Sequence, residues 1–493
     1  MADKVDLRAI EGQAGLSIYA RSVSEAGGIA YFLARRGTDK FVGMLGQGAV
    51  AGEKAGSVAG QPLIVGPTSH ENAEVIRAAL PWTAPRLVGL RASIGLGDRL
   101  GLATPGHIRA VRGSGLACVL AQQSIREMTR TARTPQQVMD CATWGVLQEG
   151  FREGFGSDAD HLQTVKDVDT TLPAGFTMFT FDPGAQVDDS ADALEVPALA
   201  WRYERLDFAA LETTAGELRR RFVGRKFPLS PHGSVEFDEV AFLRAVVKYG
   251  RAVAHAVRMF RHLAGKARRG FELEVSVDET ANPTSAAEHY FIAAELRRLG
   301  VQWVSLAPRL VGRFEKGVDY IGDLCLFRDA LSEHVAVMRT LGPYKLSVHS
   351  GSDKLSVYPI LAELTDGMVH VKTAGTSYLC ALRAIAQIDP ALFREVLEFA
   401  RSRYEADRAT YCVSADVARV PSASEVADED LPVLLDDFHV REVLHVTFGS
   451  VLTAQGGALF ASRITQRLRE HEETHYAFLE AHLGRHVELL RKA

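Results

Sequence analysis

Residues 345–374, KLSVHSGSDKLSVYPILAELTDGMVHVKTA, hold the pattern that decides the fold. Two short runs, KLSVHS (345–350) and MVHVKTA (368–374), alternate apolar with polar residues as strands do, and a longer helix-compatible stretch joins them. A strand, a helical crossover and a second strand of these lengths make a parallel βαβ unit. Each run closes on ionisable residues, His349 in the first and His370 with Lys372 in the second.

The same alternation extends outward from this pair. Strand-like runs stand at 86–93 (RLVGLRAS), 117–123 (ACVLAQQ), 177–182 (TMFTFD), 271–277 (FELEVSV), 302–307 (QWVSLA) and 410–416 (TYCVSAD). With the first two they make eight, which places the chain in the α/β class and predicts a closed (β/α)8 barrel of the TIM type over an open sheet. Residues 1–85 read differently, as short apolar runs among Gly and Ala, and are expected to form an N-terminal α/β cap. The barrel then takes 86–493, with an insertion around 184–270 too long for one crossover and therefore helical, and helices at the C-terminal end.

Composition narrows the class of function. With 47% hydrophobic and 24% charged residues the chain can build an ordinary globular core. A net charge of −5 gives no attraction for a polyanion, so nucleic acid is not an expected partner. No stretch of 18 uncharged apolar residues occurs, and the first residues show no basic segment followed by an apolar one, so neither membrane insertion nor secretion is expected. The five cysteines form no CxxC pair, which argues against a thiolate zinc site or a disulfide framework and fits a cytoplasmic location.

In a barrel of this type the chemistry sits where strands end. Asp160 stands directly beside His161 in GSDADH, so one group could move protons while the other holds a metal. His349 opens a Gly-Ser turn, and His370 poses the same choice between ligand and structural imidazole. Glu274 lies two residues beyond Glu272, on the same face of its strand. Arg309 and Glu315 follow the run at 302–307, and Glu315 could add an oxygen ligand to two imidazoles. Two His and a carboxylate with an open position describe a catalytic divalent-metal site, and such ligands suit zinc, manganese, iron and nickel alike. Two other motifs carry less. His471-Glu472-Glu473-Thr474-His475 matches HExxH but sits in a charged helix-like segment, and the Gly95–Gly101 loop has its third glycine one position late for a dinucleotide fingerprint.

Eight blocks taken in order, GLRASIGLGDRLGLATPGHIRA, AQQSIRE, ATWGVLQEGFREGFGSDADH, GFTMFTFDP, VSVDETANPTS, SVHSGSDKLSVYP, HVKTAGTSYL and LHVTFGSVL, resemble the bacterial tagaturonate epimerase family across residues 89–452. The resemblance implies a barrel enzyme that uses a divalent metal cation to interconvert tagaturonate and fructuronate, small sugar acids that are epimers at carbon four. It implies Asp160 as proton acceptor, Glu274 as proton donor, and His161, His349 and Glu315 as ligands, with His370 the second choice for the third. Arg309, Lys354, Lys372 and His370 are then candidates for binding the substrate. Arg313-Phe314 departs from the acid and aromatic expected before that Glu. Carbon four neighbours neither the ketone nor the carboxylate, so inversion needs either retro-aldol cleavage between carbons three and four or migration of the carbonyl to carbon three. A metal-dependent hexuronate aldose–ketose isomerase would need the same groups, and a sugar-acid-binding protein would use them without turnover.

Overall fold

The computed structural model describes residues 6–231 and 233–491. Eight parallel strands close the expected TIM-type barrel: β1 (Ser93–Gly95), β2 (Ala117–Ser124), β3 (Phe155–Leu162), β4 (Met178–Phe181), β5 (Glu272–Val277), β6 (Ser305–Pro308), β7 (Lys345–Val348) and β8 (Val369–Lys372). Each pairs with the next, and β8 closes on β1 through the His370–Ser93 and Lys372–Gly95 partners.

Seven of the eight expected runs contribute a strand, although the run at 86–93 does so only from Ser93. The run at 410–416 does not. It follows the turn Arg408–Thr410 as irregular chain within the C-terminal helical layer, so the eighth strand is β3. Hydrophobic patterning passes over β3 because its inward residues are carboxylates: Asp158 is fully buried and Asp160 nearly so. They are stable there only because partners meet them across the barrel.

Alternation along the strands explains this layout. Leu273, Val275, Phe179, Phe181, Leu346, Val348, Val369 and Val371 belong to the main apolar core between strands and helices. Their neighbours of opposite parity, Glu272, Glu274, Thr180, Lys345, Ser347, His370 and Lys372, are buried and polar and face the lumen. The barrel is therefore apolar outside and polar inside.

Helices follow the strands. The ones that matter for the site are α1 (Thr104–Val111), α2 (Glu239–Lys266), α3 (Thr376–Ile388), α4 (Phe438–Val446) and α5 (Glu472–Arg491). Asp238 caps α2 by accepting from the Ala241 N–H at 2.7 Å, and its residues Phe242, Val246, Tyr249, Val253 and Val257 bury one face. The segment between β4 and β5 also holds short helices and the hairpin Arg225–Pro228 with Ser234–Phe237. Before the barrel, six strands between Ser17 and Pro67 form an antiparallel sheet, flanked by the helices Leu7–Ala14 and His70–Ala79. Among the described residues, no helix is long and apolar enough to cross a membrane.

The glutamate of the HExxH segment ties these parts together. Glu472 accepts hydrogen bonds from Tyr19 (2.8 Å), Arg35 (3.0 Å) and Tyr476 (3.1 Å), and Lys40 lies 3.2 Å away. Its carboxylate thus docks the N-terminal sheet on α5. Replacing Glu472 by Ala leaves Lys40 and Tyr19 without that acceptor and is expected to cost roughly 2–3 kcal/mol. The expected result is a lower melting temperature with new protease cleavage in the N-terminal sheet; an unchanged melt would mean apolar contact alone holds the sheet in place.

Candidate active site

One ammonium group organises the lumen. Lys372 at the end of β8 lies 2.8 Å from Asp158, 2.7 Å from Asp160 and 2.9 Å from Glu274, and donates to Thr180 at 2.6 Å. β8 is paired with β7 and β1, so these partners on β3, β4 and β5 are reached only through the barrel interior. Burial opposes the charge on Lys372, but its three carboxylates outweigh it and hold the pKa well above the usual lysine value. Burial pushes Asp158 up to about 6, helped by repulsion from Asp160 and Glu274 against the pull of Lys372. Asp160 and Glu274 go the other way despite burial, because Lys372 and the nearby imidazoles hold both below the normal carboxylate range.

Two imidazoles stand over this cluster. His349 directs Nε2 to Glu274 at 2.5 Å and Nδ1 to Asp278 at 3.1 Å. His161 lies with Nδ1 3.5 Å from Asp182 and Nε2 3.9 Å from Asp160, and its ring meets that of His349 edge-on with centroids 4.8 Å apart. Period-two alternation would send Asp160 and His161 to opposite faces. His161 instead takes a left-handed backbone, φ 51°, where the register with β4 shifts, and both residues line the same cavity. Such strain in a β-branched-poor, polar strand costs of order 1–3 kcal/mol and persists where surrounding contacts enforce it. Burial disfavours charge on both rings, yet the carboxylates prevail and raise His161 to about 8 and His349 to about 10.

The loop bearing His349 is fixed from outside the barrel. Asp353, in a left-handed conformation, receives His482 of α5 at 2.5 Å and Arg441 of α4 at 2.7 Å, while its N–H donates to Nε2 of His486 at 3.0 Å. Among the described residues, only Asp353, His482 and His486 bring three potential ligand atoms within 4.8 Å of one another. They are already committed, however. His486 accepts from a backbone N–H at Nε2 and spends its other nitrogen on the His482 carbonyl, and a guanidinium flanks Asp353. The group is a clasp for the 349–354 loop.

The structure brings Asp160, His161, Glu274, His349 and Lys372 together and places the other candidates elsewhere. Glu315 is buried, but its carboxylate accepts from the Ser414 N–H and hydroxyl at 3.0 and 2.7 Å, lies 3.2 Å from Arg313, and adjoins Glu442. Lys354 is buried with its ammonium donating to the carbonyls of Glu315, Val318 and Ser352, which leaves no donor for a substrate. Arg309 donates to the Asp278 carbonyl at 3.3 Å and does not line the cavity. His370 lies within the lumen on Ser93 at 2.9 Å, and burial pushes its pKa down to about 3. Spacing cannot foresee these partners, because Ser414 and Ser93 are remote in sequence. Asp182 and Asp278 stand at the ends of strand-like runs in the sequence, whereas Asp158 was overlooked; its signal is a second acid at i−2 on the face of Asp160.

Residues 19–490 match the tagaturonate epimerase family. A tagaturonate/fructuronate epimerase from Thermotoga maritima is 42% identical over 479 residues, 97% of each chain. The chain belongs to the tagaturonate epimerase family. Two crystal structures of the fructuronate-tagaturonate epimerase of Cohnella laeviribosi, one native and one with glycerol, each superpose with a TM-score of 0.91 at 36% identity. Both cover 98% of this chain, and 98% or more of their own.

The family fold here contains a buried glutamate, Glu442, whose proton is held well above the usual carboxylate range. Glu442 shares the Ser414 N–H with Glu315, at 3.1 and 3.0 Å, and also accepts from Ala415 at 2.8 Å. Burial and the adjoining Glu315 raise Glu442 to about 8. In the unfolded chain a glutamate titrates near 4.3, so between that value and about 8 the folded state holds the extra proton and stability falls as pH rises. Melting temperatures from pH 5 to 9 should decline for the wild type and decline less for Glu442→Gln. Parallel curves would place the proton elsewhere.

Proposed function

We propose that this chain interconverts D-tagaturonate and D-fructuronate by acid–base chemistry at carbon four, with a divalent cation bound at the imidazoles. The observation that carries this reading is the pair of carboxylates, Asp160 and Glu274, held by one ammonium beneath two imidazoles at the mouth of a family barrel. Asp160 remains ionised and suits the role of proton acceptor. Nδ1 of His349 faces Asp278, so a ligand role would use Nε2, and the proton that Nε2 shares with Glu274 at 2.5 Å would then pass to that carboxylate. Glu274 then suits the role of donor.

The donor set favours a cation. Asp158, Asp160 and Glu274 surround Lys372, while Asp160, Asp182, Glu274 and Asp278 draw protons onto the two imidazoles, and Glu274 Oε2 is buried without a hydrogen-bond partner. His161 and His349 would hold the metal, and the carboxylates beside them would supply the oxygen ligand that Glu315, occupied by Ser414, does not. When bound, it would polarise the ketone and stabilise the enediolate. Lys372 fixes Asp160 and Glu274 at 2.7 and 2.9 Å from its ammonium, and Asp278 and Asp182 orient the two rings. Five free cysteines and a substrate of central sugar-acid metabolism support a cytoplasmic location.

NMR with tagaturonate and defined metals should show fructuronate forming, whereas conversion of glucuronate alone would favour an aldose–ketose isomerase. Asp160→Asn and Glu274→Gln should each lower kcat by about 10²–10⁴. Elemental analysis of His161→Ala and His349→Ala should show lost metal; full occupancy in both would overturn the ligand assignment. Deuterium from solvent at carbon three or four would mark carbonyl migration, and trapped three-carbon fragments without label would mark retro-aldol cleavage.

A further inference from the structure

The wall of the cavity above Lys372 carries two sets of groups. Asp160, His161 and His349 form one; Arg99, Lys316, Gln122 and His445 form the other. In the second set Arg99 keeps a free N–H and Lys316 has no acid partner among the described residues. The Arg99 side chain is 4% exposed, donates through Nε to Glu127 at 2.9 Å, and lies with Cζ 3.6 Å over the ring of Phe448, so its plane is fixed. Its Nη1 is buried without a hydrogen-bond partner. Lys316 donates to the Ser350 hydroxyl, and among the described residues no carboxylate lies within ion-pair distance of it. Arg126, which also lines the cavity, is paired with Glu279 at 3.3 Å.

Two further groups point the same way. His445 is kept neutral, first by burial and then by the charges of Arg99 and Lys316, and a Cβ at Gly375 would fall 1.6 Å from its Nε2, so only glycine permits this packing. Gln122 is buried with neither amide atom hydrogen-bonded, in space that a Cβ at Gly95 would fill, since it would stand 1.7 Å from Oε1. Each orphaned buried donor carries a desolvation cost that a ligand in the shared cavity would relieve.

We propose that Arg99 and Lys316 bind the carboxylate of the substrate, with Gln122 on an adjacent hydroxyl, and that these groups select a sugar acid over the neutral sugar. The proposal rests on the epimerase reading and deepens it. A fixed planar guanidinium with a free N–H suits a carboxylate, and the ammonium adds a second charge-assisted bond. Arg309 and Lys354 take no part, and Lys372 is already surrounded by acids.

The test compares wild type, Arg99→Met, Lys316→Met and Lys316→Arg. Each Met variant should raise the tagaturonate KM by about tenfold to a hundredfold, with kcat changed far less, and Lys316→Arg should recover most of the loss. Calorimetric titration with D-galactonate and with galactitol provides a readout that needs no turnover: wild type should bind the acid more tightly, and the Met variants should lose that preference. Should Arg99→Met fail to fold through loss of Glu127 and Phe448, Lys316→Met decides. A Lys316→Met variant with wild-type KM and wild-type galactonate affinity overturns the proposal. Absent epimerisation by the wild type with galactonate binding intact would instead sink the epimerase reading and leave the carboxylate site standing.

Discussion

Everything in the barrel interior follows from placing one ammonium group among three carboxylates away from water. Desolvating such charges is expensive, and their mutual attraction compensates only when the geometry is close. At 2.7–2.9 Å from each acid, Lys372 satisfies that condition and joins β8 to β3 and β5 across the lumen. Removing any one member strands the others, a loss of about 3–5 kcal/mol for a buried pair. The strands are thereby registered against one another by charge as well as by the backbone ladder. The same attraction keeps Asp160 and Glu274 ionised where burial alone would protonate them.

This arrangement also explains what could be read from the chain and what could not. Runs such as FELEVSV and KLSVHS announce themselves because their outward residues are apolar and alternate with period two. β3 has the same geometry, but its inward Asp158 looks like a turn residue until Lys372 and Thr180 are known to face it. Cys412 and Val413 lent the segment at 410–416 the look of a strand, yet its backbone is held by Glu315 and Glu442. His349 was legible because it ends a strand-like run, Glu274 because it sits on a face of one beside Glu272, and Asp160 with His161 as an acid directly beside an imidazole. The positions of Glu315, Arg309 and Lys354 were not, since their partners are set by tertiary packing rather than by spacing.

A polar lumen opening on a cavity lined by both acid–base and basic groups holds partners for a small anion before any ligand arrives. Preorganisation of this kind reduces the ordering needed on binding. It also explains why buried donors lining the cavity remain without protein partners.

The clasp on Asp353 has a consequence in time. His482 lies 129 residues downstream of Asp353, beyond all eight barrel strands, so the loop bearing His349 is secured only after α5 has been synthesised and packed. Until then the loop relies on Arg441 and on the contacts of His349 with Glu274 and Asp278. A nascent chain arrested upstream of α5 would carry all eight strands without the full clasp.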